Sequence, residues 1–347
     1  MIRFLLLLLL PLAAQAQELR IATFNTELQR DGPGLLLRDI QRDHHQVRAV
    51  VDVLVATKPD IVALQGIDWD HEQRALSELA GKLSAAGLNY LHLFSSQPNS
   101  GMMTPSDLDG DERLGGAGDS QGWGRFTGQG GLAVLSKFPI VSDEFRDYSQ
   151  LRWRDLPGAS LPKRDGSPFP SDQAQSIQRL SSTGHWIVPI DTPLGRLNLM
   201  TFHATPPVFD GPEDRNGLRN RDEIRFWSVL LNGGLGPAPT DRFVIAGDAN
   251  LDPFRGEGHT DAIRDLLAHP LLQDPAPRDS NGSDTTVQWK SVGERRVDYV
   301  LPSTDWKIEH AGIYWLDANG DVVPAAQTAS RHRLVWVDLS RKDIPGL

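Results

Sequence analysis

Apolar residues recur along the chain in short runs closed by turn residues: Leu19 to Phe24, Ile61 to Leu64, Leu132 to Leu135, Leu197 to Phe202, Phe243 to Ala246, Val297 to Leu301 and Leu334 to Leu339. Their wealth of β-branched and aromatic residues predicts buried strands. Between the first two runs, Val47, Val50, Val51 and Leu54 recur at helical spacing and stop before Pro59, which predicts a helix. His71 to Ala86 predicts another, with Ala75, Leu76, Leu79, Ala80 and Leu83 on one face, and Arg219 to Leu231 and Thr260 to Ala268 predict two more. Strands and helices alternate without a clean βαβα order, a composition break or a repeat, so the pattern predicts one α/β domain over residues 17–347. Two stretches interrupt it. Residues 95–131 are crowded with Gly, Ser and Asp, and 156–175 with Pro, Ser and Asp, as in long surface loops beside a site.

The first residues follow a different rule. Arg3, the apolar run Phe4 to Leu10 and the small-residue step Ala14-Gln15-Ala16 read as a signal peptide over residues 1–16. A membrane span needs about 20 apolar residues, whereas Pro11 and Gln15 interrupt this run early. The expectation is a secreted or periplasmic bacterial protein without stable membrane insertion.

Composition narrows the chemistry. The 347 residues are 39% hydrophobic and 23% charged, a balance that supports a sizeable folded core. With no cysteine there is no disulfide, no thiolate nucleophile and no Cys-type zinc site, so any metal sits on oxygen or imidazole. The net charge of -10 argues against a globally basic surface for nucleic acid or anionic membrane, although local basic clefts stay open.

The apolar runs end repeatedly in residues useful for hydrolysis. The first ends at Asn25 with Glu27 two positions on, and the second at Gln65 with Asp68 and Asp70 beyond. Leu197 to Phe202 delivers His203, Phe243 to Ala246 delivers Asp248 and Asn250, Val297 is followed by Asp298, and His332 precedes the last run. Strand ends on a rigid sheet are where a constellation can be presented to a cleft.

At these residues the sequence resembles the endonuclease/exonuclease/phosphatase family, which includes pancreatic deoxyribonuclease, apurinic endonucleases, neutral sphingomyelinases and inositol polyphosphate phosphatases. The matching pieces are IATFNTE at 21–27, PDIVALQ at 59–65, GGLAVLSKFPI at 130–140, LMTFH at 199–203, VIAGDAN at 244–250, RVDYVLPS at 296–303 and SRH at 330–332, in the family's order. The resemblance implies a four-layer sandwich, two mostly antiparallel sheets face to face with helices outside, and metal-assisted attack of water on a phosphoester. It implies His332 as general base or transition-state stabiliser oriented by Asp298, His203 on a phosphate oxygen or the leaving group, and Asp248 with Asn250 placing water and phosphate. Phosphoryl transfer asks mainly for charge stabilisation and in-line positioning, which imidazoles, a carboxylate and an amide can supply.

Two positions depart from the family's pattern. Gly66 follows Gln65 where the family carries a metal-binding Glu, and Arg331 precedes His332 where it carries Asp. Losing two carboxylates weakens a site built on hard oxygen ligands. The expectation is that Asn25, Glu27 and Asp68 hold one Mg²⁺ or Mn²⁺, and that Gln65, Arg219 and Arg331 are the candidates for holding substrate phosphate.

Three other patterns carry chemistry. Asp107, Asp109 and Asp111, with Asp119 further on, resemble a calcium loop but lack the glycine and glutamate of an EF-hand. Gly118 to Gly122 matches GxSxG without the strand and helix that a nucleophile elbow requires, so Ser120 reads as a decoy. Arg215, Arg219, Arg221 and Arg225, interleaved with Asp214, Asp222 and Glu223, read first as a solvated helix face and second as phosphate-holding arginines. Trp123, Phe126 and Trp186 suit either base stacking or the core. The functional expectation is an exported, metal-assisted phosphoester hydrolase acting on nucleic acid, a phospholipid head group or a small phosphate ester, with no protein partner inferred. The alternative is a catalytically inactive relative that binds a phosphorylated ligand.

Overall fold

The computed structural model describes residues 17–240 and 242–342, so the signal-peptide expectation for 1–16 lies outside the described residues. Among the described residues no helix is long and apolar enough to cross a membrane.

Two sheets form the body of the molecule. The first runs Trp306–Tyr314, Leu334–Arg341, Leu19–Asn25, Ile61–Ile67, Gly131–Ser136, His92–Phe94. The second runs Asp298–Pro302, Phe243–Asp248, Gly195–His203, His185–Thr192, Arg146–Asp147. Each is antiparallel except for one central parallel pair, Leu19–Asn25 with Ile61–Ile67 in the first and Gly195–His203 with Phe243–Asp248 in the second. Strands point alternate side chains to opposite faces, and here both faces are covered. Ile21, Ile61, Ala63, Leu199, Val244, Ala246 and Val335 fill the seam between the sheets. Their neighbours Ala22, Phe24, Val62 and Leu64 turn outward beneath the helices Leu35–Gln41, His45–Thr57, Arg74–Ala85 and Pro324–Ala329. Phe202, Phe243, Ile245 and Leu301 turn the other way, beneath Arg215–Leu231 and Thr260–Leu267. The result is the four-layer sandwich, and it explains why the strands read as continuous apolar runs rather than as alternation.

All the apolar runs singled out in the sequence form strands. The strands His185–Thr192 and Trp306–Tyr314 escape that reading. Pro189 interrupts the first in sequence, while the second is an edge strand with a register shift between Ile308 and His310 and exposed polar positions. Residues 95–131 stay largely irregular apart from the turn Ala117–Asp119. The stretch 156–175 holds only the small hairpin Lys163–Arg164/Ser167–Pro168 and the start of a short helix, Asp172–Ile177.

Candidate active site

The seam between the sheets is apolar for most of its depth and turns polar at one end. Along the inward faces, Ile21 is followed by Thr23 and Asn25, Ala63 by Gln65, Leu199 by Thr201 and His203, and Ala246 by Asp248, all at the two-residue strand period. Register does the rest. Asn25 pairs with Gln65, Asp248 pairs with His203 on one side and with Asp298 on the other, and His332 bridges to Val287 just before the strand Leu334–Arg341.

Asp248 is the centre of this cluster and is fully buried. Its Oδ2 accepts from Asn25 Nδ2 at 2.9 Å, across the gap between the sheets, and lies 3.4 Å from His203 Nε2 and 3.7 Å from His332 Nδ1. Its Oδ1 accepts from the Asn250 amide at 2.8 Å. Burial alone would raise this carboxyl, but His332, His203 and Asn25 outweigh it and hold the group below the usual carboxylate range. His332 Nδ1 meets Asp298 Oδ2 at 3.0 Å, a second link between the sheets. Burial lowers the His332 pKa, yet Asp298 and Asp248 more than reverse that and raise it to about 9, which favours the protonated ring. Asp298 is itself pushed up to about 6 by burial and by Asp248, against the pull of His332. Of the two histidines, His203 is the one that reaches solvent, with its side chain 20% exposed against 4% for His332. Its Nδ1 is buried and has no hydrogen-bond partner among the described residues.

Asn250 adopts φ 49°, a left-handed conformation that asparagine tolerates better than most residues. Its Nδ2 donates to the Ala204 carbonyl at 2.9 Å, tying the loop after His203 to the loop after Asp248.

The helix Arg215–Leu231 braces these loops from behind, which the sequence did not reveal. Asn220 Nδ2 donates to the Thr205 and Ala249 carbonyls at 2.7 and 2.8 Å. Glu223 accepts from the Ser182 amide, the Ser182 hydroxyl and the Thr205 amide, and Ser182 in turn donates to the His203 carbonyl. Arg219, expected as a phosphate ligand, is 2% exposed and donates to the carbonyls of Leu180, Gln121, Arg179 and Ser181. Its guanidinium is spent inside the fold, so that expectation is corrected, as is the picture of a solvated arginine face. Arg221 and Arg225 both pair with the buried carboxylate of Asp222. Gln65 is also fully buried, its Oε1 accepting from Thr23 Oγ1 at 3.0 Å and its Nε2 without a partner among the described residues.

Beside the cluster, Glu27 and Arg331 form an ion pair. Glu27 Oε1 accepts from Arg331 Nε at 2.7 Å and from Arg331 Nη2, while Oε2 accepts from the Arg331 amide at 2.8 Å and from Ser330 Oγ at 3.1 Å. Ser330 Oγ also donates to the Asn25 carbonyl, and Trp289 sets its ring edge-on to His332 with centroids 5.8 Å apart. Arg331, next to His332 in sequence, and the half-buried Glu27 carboxylate thus lie beside the His332 end of the site.

A model of the Endonuclease/Exonuclease/phosphatase family matches residues 22–332, a span that contains every one of these groups. The chain belongs to that family. No curated protein matches its sequence significantly. Among solved structures it is similar to an endonuclease/exonuclease/phosphatase from Beutenbergia cavernae, at 18% identity and TM-score 0.58, covering 95% of this chain and 73% of the other. It is similar to a family protein from Leptotrichia buccalis at 14% identity and TM-score 0.53, covering 93% and 99%. It also resembles sphingomyelinase C from Streptomyces griseocarneus at 18% identity and TM-score 0.51, covering 93% and 99%. At such identities the likeness is one of fold. Family members are generally hydrolases acting on phosphoesters.

Enzymes of the family typically use a divalent metal; Asp248, Asp298 and His332 offer ligand atoms within 4.8 Å of one another and would hold a cation only with the His332 ring neutral. The set expected from the sequence, Asn25, Glu27 and Asp68, does not fit one. Both Glu27 oxygens are taken by Ser330 and Arg331. Asn25 Oδ1 accepts from the Glu27 amide at 3.2 Å. Asp68 turns instead to the backbone amides of Arg30 and Gly130, each at 2.9 Å, and its burial raises its pKa to about 6. Asp107, Asp109 and Asp119 also come within 4.8 Å of one another, whereas Asp111 stands outside that group and accepts from the Arg113 amide. Ser120 is buried and donates to the Gly124 carbonyl, which leaves the GxSxG match without a nucleophile's surroundings.

Proposed function

We propose that this protein is an exported phosphoester hydrolase whose cleft lies at the polar end of the seam between its two sheets. The observation that carries the reading is the convergence of Asn25, His203 and His332, with Asp298 behind His332, onto the buried carboxylate of Asp248. The pattern of residues 1–16 supports export.

In hydrolysis a water oxygen forms a new bond to phosphorus while the ester P–O bond breaks. The water gives up one proton and the departing oxygen takes one, so the site returns to its starting charge. His203 is the ring placed to exchange the proton at a reacting oxygen: its side chain is 20% exposed, its Nδ1 is buried, and Nε2, 3.4 Å from Asp248 Oδ2, is the nitrogen left for that exchange. His332, held as an imidazolium by Asp298 and Asp248, places fixed positive charge where the phosphoryl group gathers negative charge. Asn250 and Asn25 keep Asp248 in place from the two sides. No step here passes through a metal held by Asn25, Glu27 and Asp68, because those residues are committed elsewhere.

A panel of plasmid DNA, bis-(p-nitrophenyl) phosphate and p-nitrophenyl phosphate, assayed with wild type and His203→Ala, tests the reading and separates nuclease, diesterase and monoesterase. Loss of the group should lower turnover roughly 10²- to 10³-fold. An unchanged rate in His203→Ala would remove the assigned site. Binding of a phosphate ester without turnover by the wild type would favour an inactive relative.

A further inference from the structure

The Glu27–Arg331 pair does more than fill space. All four contacts to the Glu27 carboxylate come from residues 330 and 331, and the carboxylate is held below its ordinary pKa, with Arg331 and His332 overcoming the cost of burial. Three N–H groups of Arg331 already occupy both oxygens of this carboxylate, so a hard divalent ion, which needs several oxygen ligands at once, would have to displace them. The opposite wall of this position is backbone. Gly66 sits at φ +66° where the ladder slips between Gln65 and Ile67. A Cβ there would come within 2.5 Å of Asn25 Oδ1, 3.0 Å of Gln29 Oε1 and 3.1 Å of the Glu27 amide. The position therefore has no place for a second carboxylate, and Asp68 is turned away onto two amides. The guanidinium itself is split. Nε and Nη2 are spent on Glu27, while Nη1 has no hydrogen-bond partner among the described residues and the side chain is 59% exposed.

We propose that Arg331 supplies, from within the chain, the positive charge that a divalent cation would bring to Glu27, and that its free edge holds a phosphate oxygen of the substrate. A guanidinium offers two parallel N–H groups on each face of its fork, so it can grip a carboxylate on one edge and an anionic oxygen on another. Its charge is permanent, and no ion has to be acquired before that position is ready. Glu27 is then a positioning residue that aims the guanidinium. For its catalytic consequence this proposal rests on the hydrolase reading above, but its central statement about Glu27 is measurable without any substrate.

The test is calorimetric titration of Mn²⁺ into the full-length protein, into Glu27→Gln and into Arg331→Asp, with folding of each checked by circular dichroism. The proposal expects identical isotherms for wild type and Glu27→Gln, because any Mn²⁺ taken up elsewhere is common to both. It expects an added binding event in Arg331→Asp, where two carboxylates face each other with no cation between them. A binding event present in wild type and lost in Glu27→Gln overturns it. Arg331→Ala gives the second reading. Being exposed, this position should tolerate truncation, and hydrolysis should fall roughly 10²-fold, return in part with added guanidinium ion, and fail to return with Mg²⁺ or Mn²⁺. Rescue by the divalent ion instead of guanidinium overturns the proposal. Absence of hydrolysis by wild type counts against the hydrolase reading and leaves the titration to decide this one.

Discussion

At the scale of single residues, the site shows which signals a sequence carries openly. Asn25, His203, Asp248 and Asp298 were legible because each closes or opens an apolar run, and the two-residue strand period then commits their side chains to the seam. The departures at Gly66 and Arg331 were legible as departures, but not their cause. Arg331 meets Glu27 across 304 positions of sequence, and no local pattern announces such a pair. Arg219 was misread for the complementary reason, since a guanidinium saturated by buried carbonyls is indistinguishable in sequence from an exposed one. Gly66 offers a sharp check. Its left-handed backbone alone should cost an L-residue about 1–2 kcal/mol, and the approach to Asn25 Oδ1 adds to that. Gly66→Ala is expected to lower the unfolding free energy by at least this amount in urea denaturation and to reduce activity by displacing Asn25. A variant as stable as wild type would mean that the strand slips back to a regular register with room for a side chain.

At the scale of elements, the strands were legible and the braces were not. A strand buried on both faces reads as an apolar run whatever its partners, so the central strands stood out. His185–Thr192 did not, since Pro189 broke the signal, although the strand fills the seam with Trp186, Val188 and Ile190. The sequence predicts a helix over Arg219 to Leu231; the helix begins one turn earlier, at Arg215, and its polar face is not solvated. Its charged residues alternate along the sequence as on a solvated face, yet Arg219, Asn220, Asp222 and Glu223 are buried, and Asn220 and Glu223 bond to the loops that follow the site strands. Asn220 binds the carbonyl between Asp248 and Asn250, so Asn220→Ala should leave two carbonyls unsatisfied and cost about 1–3 kcal/mol. If the helix positions the site, kcat should fall more than KM rises, as read from steady-state kinetics. Loss of stability with kcat intact would make the helix a support of the fold alone.

At the scale of the whole molecule, the two sheets repeat one plan. Each sets a parallel pair at its centre, and the ends of those pairs bring Asn25 and Gln65 against His203 and Asp248. The apolar seam below is rigid and closely packed, so the hydrogen bonds that cross it, Asn25 to Asp248 and His332 to Asp298, hold their geometry without a flexible loop between them. Family membership and the four-layer architecture followed from motif order in the sequence. That the site is built jointly by the two sheets follows only from their stacking, which places residues 223 and 34 positions apart within hydrogen-bond reach. The central claim is that His203, from one sheet, and His332, at the edge of the other, act on one phosphoester through the shared Asp248. A double-mutant cycle of turnover on bis-(p-nitrophenyl) phosphate, with wild type, His203→Ala, His332→Gln and the double variant, tests it most directly. Residues acting as a unit are strongly non-additive, so each single variant is expected to lose most of the activity and the double variant little more. Independent, multiplicative losses would contradict a single shared site.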